Sequence, residues 1–202
     1  MPRNRDREFG HLPRLDDVHY RGFAFVHWTM TIRNRQRGWL SDQFHQRFRE
    51  LLLHSCSRYH SICPVYCLMP DHFHLLLLGI ADESDQFKLT KHFRRHVNTA
   101  LEGCSPNPDQ PFRLQKQAYD SVLREADRAR DAFQSVAFYI AENPVRASLT
   151  EDPSTWPFCD AVIPGYPELT FSADDYWDRF WRLYYSRLPE GLFPAIDRRN
   201  RK

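Results

Sequence analysis

The feature that most constrains this chain is a pair of apolar runs, residues 62–69 and 73–80, separated only by Pro70-Asp71. Pro and Asp are turn formers, and runs of this length bounded by them read as two strands of an antiparallel hairpin. The longest wholly apolar stretch, residues 75–81, falls far short of the ~20 residues that cross a bilayer, so a membrane protein is not expected. The second strand of the hairpin opens His72-Phe73-His74. Side chains alternate across a strand, so the two imidazoles share one face and Phe73 takes the other.

The elements around the hairpin follow from periodicity. Residues 23–32 are aromatic and β-branched with partial alternation, which predicts a strand. Residues 42–56 carry Phe44, Phe48, Leu51 and Leu52 at helical spacing behind Ser41 as N-cap. A second helix over 84–101 ends before the Pro-rich stretch 105–111, and 118–123 reads as a fourth strand. Strand, helix, strand, strand, helix, strand is the ferredoxin-like split βαβ order. The expectation is therefore an α+β domain with an antiparallel sheet carrying helices on one face.

A further helix is predicted over 128–143, with Phe133, Val136 and Ile140 as its core stripe and Pro144 ending it. Residues 150–170 read as an irregular wrap. Ser172, with Asp175 three residues on, is expected to cap a final amphipathic helix carrying Trp177, Phe180, Trp181, Tyr184, Tyr185 and Leu188. Packing against the core is its ordinary role, with a partner or DNA-stacking surface as the alternative. The expected organisation is a flexible basic arm over 1–18, one domain over 19–149, and a C-terminal wrap, helix and basic tail over 150–202. With 202 residues, 42% of them hydrophobic, one sizeable core is affordable and two are not.

Five cysteines, Cys56, Cys63, Cys67, Cys104 and Cys159, include no Cys-x-x-Cys pair, so buried reduced thiols fit better than disulfides or a zinc site on Cys63 and Cys67. The charged N-terminus is followed by no apolar signal core, which makes the cytoplasm the expected location. Net charge is only +2, but arginines cluster at Arg33, Arg35, Arg37, at Arg94, Arg95 and near the C-terminus. Such patches suit phosphate, and solvated helix faces produce them equally.

Two segments carry candidate chemistry. His72 and His74 sit at the start of a central strand, where a divalent metal is one common partner for paired imidazoles. His-x-His alone is weak evidence. Tyr139 and Asn143, four apart, share a helix face beside the core stripe, where a tyrosine is ordinary. Together, Met69-Pro-Asp-His-Phe-His and Tyr139-Ile-Ala-Glu-Asn-Pro-Val-Arg-Ala resemble the single-tyrosine HUH transposases, especially their REP-associated tyrosine branch. The resemblance spans roughly residues 23–149.

That resemblance implies a metal-dependent endonuclease and strand-transferase acting on single-stranded DNA beside hairpins. In it His72 and His74 match the metal-holding pair, Asn143 a third polar ligand, and Tyr139 the nucleophile that forms a 5′-phosphotyrosine. Two imidazoles and an oxygen suit Mg²⁺ or Mn²⁺ with open positions for phosphate. Arg33, Arg35, Arg37, Lys91, Arg94, Arg95, Lys116, Arg124 and Arg146 flank the motifs and are the candidate DNA contacts; Trp28 and Trp39 could stack on bases, with core packing as their ordinary role. Monomer and homodimer are both compatible. The rival readings are a non-catalytic hairpin-binding relative and a hydrolase using metal-activated water.

Overall fold

The computed structural model describes residues 14–124 and 128–189. Its centre is the expected hairpin, β2 (Ser61–Met69) and β3 (His72–Gly79). β1 (Phe25–Thr31) pairs with the other side of β3, β4 (Tyr119–Val122) with β1, and β5 (Cys159–Val162) with β2. Five antiparallel strands in the order β4-β1-β3-β2-β5 result. The first four are the ferredoxin-like arrangement; β5 lies inside the segment expected to be irregular. It forms because β2 would otherwise be an open edge of buried apolar residues, and edges of that kind need cover.

The sheet is covered on both faces, which corrects the one-face expectation. α1 (Asp42–Arg58) and α2 (Gln86–Gly103) pack Phe44, Phe48, Leu52, Phe93 and Val97 against Val26, Trp28, Phe73, Leu75 and Leu77. On the other face α3 (Arg130–Ala141) and α5 (Tyr176–Arg187) pack Phe133, Ile140, Phe180, Trp181 and Tyr184 against Phe25, Val65, Leu76 and Leu78. A strand with both faces apolar can satisfy neither in water, so the C-terminal helix completes the core. Burying each of its large aromatics contributes roughly 1.5–3 kcal/mol.

Local chemistry sets the boundaries. Ser41 Oγ accepts from Phe44 N at 3.2 Å and caps α1 as predicted. Pro144 does not stop the chain's helical path; it occupies the first turn of a short helix, α4 (Asn143–Arg146), where its missing N–H is harmless. α5 starts at Tyr176 with Asp175 in the N-cap position and no side-chain cap bond, so the expected Ser172 cap is not used. In β2 the register shifts between Ile62 and Val65 around Pro64, which cannot donate to the ladder. The bulge reverses the alternation, so Cys63 belongs to the α1/α2 core and Cys67 to the α3/α5 core. No single zinc site on those two thiols is compatible with opposite faces.

Trp28 and Trp39 are each 1% exposed and serve the core, not a stacking surface. Trp28 Nε1 donates to Gln86 Oε1 at 3.0 Å. At the sheet's end Gly79 faces Gly22, where a Cβ on Gly79 would lie 1.8 Å from the Gly22 carbonyl oxygen.

Candidate active site

In β1, Val26, Trp28 and Met30 enter the α1/α2 core, which turns His27, Thr29 and Thr31 to the opposite face. In β3, Phe73, Leu75 and Leu77 do the same, so His72 and His74 join them. The pairings Thr29 to His74, Thr31 to His72, His27 to Ser121 and Thr29 to Tyr119 assemble one polar stripe across β3, β1 and β4. It lies on the side that carries α3.

His72 Nε2 and His74 Nε2 approach to 3.1 Å. The other ring nitrogens are held. His72 Nδ1 meets Asp71 Oδ1 at 2.6 Å, and Arg35 Nη1 donates to Asp71 Oδ2 at 2.9 Å. An ionised carboxylate can only accept, so His72 carries a proton on Nδ1, and Nε2 is the ring nitrogen left to face a cation. Burial raises the Asp71 pKa, but the bonds from His72 and Arg35 outweigh it and hold the carboxyl below its ordinary value. His74 Nδ1 lies 3.0 Å from His27 Nε2 and 3.1 Å from Thr29 Oγ1.

Burial pushes His27 down to about 4. Burial, reinforced by His27, His72 and Arg146, pushes His74 down to about 3. Both imidazoles are therefore neutral at physiological pH, the form in which histidine binds metal.

The donor set fits a divalent cation. Two ligand atoms about 2.1 Å from one ion and at right angles are about 3.0 Å apart, close to the separation of the two Nε2 atoms. Among the described residues no three His, Cys, Asp or Glu side chains are grouped to hold a metal. Asn143 opens α4, with its amide nitrogen donating to Ile140 O at 3.0 Å and Tyr139 O at 3.4 Å. Only the amide oxygen is left as a candidate ligand. Among the described residues Asn143 makes no hydrogen bond to either histidine.

Tyr139 stands on α3 with 55% of its surface exposed. It lines a cleft of about 410 Å³ together with His27, Ser121, Val122, Leu123, Ser135 and Val136. The Arg146 guanidinium lies 3.9 Å from the ring centroid and donates to the Tyr139 carbonyl. A cation over the π face holds the ring's orientation. Helix α3 thus delivers a solvent-facing phenol to the cleft that His27 enters, and His27 touches His74.

The remaining predicted contacts are scattered. Arg33, Arg35 and Arg37 follow β1, beside the His72 end of the stripe, and all are exposed. Arg35 is engaged with Asp71. Lys91, Arg94 and Arg95 ride on α2, which packs on the opposite face from the histidines. Arg94 is half-buried and donates to the carbonyls of Gln115 and Lys116 at 2.5 and 2.9 Å. Lys116 and Arg124 are exposed at either end of β4. Sequence reasoning missed His27, Thr29, Asp71 and Tyr119. The strict alternation of β1, Val26-His-Trp-Thr-Met-Thr, was the available signal for the first two.

Fold and site define an α+β domain whose antiparallel sheet presents a histidine pair beneath a tyrosine-bearing helix. The solved structure of a REP-associated tyrosine transposase bound to a REP hairpin shares this fold, with a TM-score of 0.58 and 19% identity over 74% of this chain and 81% of that one. A bacterial tRNA(His) guanylyltransferase (Thg1)-like protein in complex with GTP is similar at a TM-score of 0.46 and 11% identity, covering 84% of this chain and 94% of that one. No family model and no curated protein matches the sequence. Among the described residues no helix is long and apolar enough to cross a membrane.

Proposed function

We propose that this chain is a metal-dependent DNA strand-transferase that cleaves single-stranded DNA beside a hairpin through Tyr139. The observation that carries the reading is the Nε2 atoms of His72 and His74, 3.1 Å apart on the sheet face that α3 covers with its exposed phenol. The fold shared with a hairpin-bound tyrosine transposase supports it.

His72 and His74, with the Asn143 amide oxygen, are the residues that would hold Mg²⁺ or Mn²⁺. When bound, such an ion supplies charge neutralisation at a non-bridging oxygen of the scissile phosphate. The Asp71 to His72 hydrogen bond fixes that ring's tautomer, and Arg35 anchors Asp71. Tyr139 Oη attacks phosphorus in line. The bond from Oη to phosphorus forms as the bond to the 3′-oxygen breaks. The phenol loses its proton, the leaving oxygen gains one, and a 5′-phosphotyrosine and a 3′-hydroxyl result. The new diester retains the energy of the old, so a second 3′-hydroxyl can reverse the attack and join strands. Arg146, fixed over the Tyr139 ring, adds positive charge where phosphate must enter.

The test is incubation with labelled single-stranded hairpin DNA and Mn²⁺ or Mg²⁺, followed by a denaturing gel. A protein-DNA adduct that disappears in Tyr139→Phe and with chelator is expected. Retarded migration on a native gel with no adduct would make the chain a hairpin-binding protein; cleavage without an adduct would make it a water-using hydrolase.

A further inference from the structure

Nearly all large aromatic side chains among the described residues are buried or half-buried; Tyr119, Phe138 and Tyr139 are the exposed ones. Phe138 meets the rings of Phe171 and Trp177 at 6.1 and 6.0 Å, and Tyr139 lies under Arg146. Tyr119 is 57% exposed and, among the described residues, has no ring contact and no side-chain hydrogen bond. A single exposed tyrosine on an edge strand is ordinary in itself, so a role for it has to come from what stands beside it.

The register supplies one. Tyr119 is directly opposite Thr29, which is directly opposite His74, and Thr29 Oγ1 touches His74 Nδ1 at 3.1 Å. Directly opposed residues share a face and neighbouring strands are about 4.8 Å apart. Tyr119 therefore stands on the histidine face two strands from His74, about 10 Å away across the sheet by that spacing. Ser121, two residues along the same strand and face, lines the cleft that Tyr139 enters. Among the described residues no acidic side chain lines that cleft, and Arg146 is at its Tyr139 side.

We infer that Tyr119 is a stacking platform for the unpaired nucleobase that adjoins the phosphate at the histidines. The inference rests on the single-stranded DNA reading above and adds to it the residue that sets the strand's path. A flat exposed phenol offers a π face to any base, tolerates sequence, and fixes a flexible strand at one point. Its neighbour Thr29 is then part of both the histidine stripe and the binding floor.

The test uses the full chain carrying Tyr139→Phe, so that binding is read without covalent chemistry, and a fluorescent hairpin oligonucleotide with a single-stranded flank. Tyr119→Leu, which keeps bulk and apolarity but removes the π face, is expected to weaken binding at least about fivefold, as loss of one stacked base does. Tyr119→Phe and Tyr119→Trp retain it. An abasic site at one flank position weakens the Tyr119 chain by a similar factor and has little further effect on the Tyr119→Leu chain. Equal binding by Tyr119→Leu and its parent, or a loss indifferent to the abasic position, overturns the inference. If the unsubstituted chain forms an adduct while Tyr119→Leu binds normally, only the stacking role fails. If it forms no adduct and binds no single-stranded DNA, the reading beneath it fails as well.

Discussion

Asp71→Asn changes one atom and tests the logic of the site. Asp71 is 8% exposed and accepts from two donors, His72 Nδ1 at 2.6 Å and Arg35 Nη1 at 2.9 Å. A carboxylate serves both, but an amide has one oxygen and must turn its NH₂ toward one of them. If the oxygen stays with Arg35, the NH₂ faces His72 Nδ1 and drives that ring to its other tautomer. The proton then sits on Nε2, aimed at His74 Nε2 across 3.1 Å, where the cation would bind. Loss of such a supporting partner typically costs 10–100-fold in metal affinity, about 1.4–2.7 kcal/mol. We therefore expect the Mn²⁺ concentration for half-maximal adduct formation to rise by about one to two orders of magnitude in Asp71→Asn, with the folded state retained. Titration of Mn²⁺ followed by electron paramagnetic resonance gives the same comparison without DNA. Arg35→Ala should cost much less, because Arg35 is 68% exposed and its ion pair is screened. An unchanged Mn²⁺ dependence in Asp71→Asn would refute the tautomer argument.

Three further outcomes follow from the fold. Gly79→Ala places a Cβ 1.8 Å from the Gly22 carbonyl oxygen, a backbone atom that cannot rotate away, and should destabilise by about 3 kcal/mol or more in denaturant titration. Gln86→Leu leaves Trp28 Nε1 without its acceptor and removes the amide that donates to the carbonyls of Ala24 and Leu77 at 2.8 and 3.2 Å, costing about 1–3 kcal/mol by the same assay. His45, whose Nε2 lies 2.8 Å from Tyr66 Oη, has its pKa lowered by burial and by Arg49, against the opposing pull of Asp160 and Asp42. Unfolded chains therefore take up that proton first. The stability tied to His45 is whole above about pH 6.5 and is lost as pH falls toward the lower folded value, at no more than about 1.4 kcal/mol per pH unit. His45→Gln should flatten that part of the stability profile measured between pH 7 and 5.

The expectations that held were local ones. A two-residue turn between apolar runs admits few structures, a strand's period places His72 and His74 together, and a helix's period groups Phe133 with Ile140 on its core side. What failed was also informative. Alternation in β1 was visible, yet nothing local said that its polar face would meet β3 through Thr29 and His27 rather than solvent. The fifth strand was missed because Cys159–Val162 is short and becomes a strand only by pairing with β2.

By itself, then, the sequence determined the hairpin, the order of the first four strands and their helices, the shared face of the two histidines and the amphipathic helix that carries Tyr139. Tertiary structure decided the rest: that α5 would close a second core, that Arg35 would reach Asp71, that Arg146 would lie over Tyr139, and that Tyr119 would fall in line with Thr29 and His74. The physical reason is the range of the forces. Periodicity and turn chemistry act over a few residues, whereas cross-strand register joins side chains 45 or more positions apart, His74 to Thr29 and Thr29 to Tyr119. Only the packed sheet selects which of the possible registers is the one in which all those polar groups find partners.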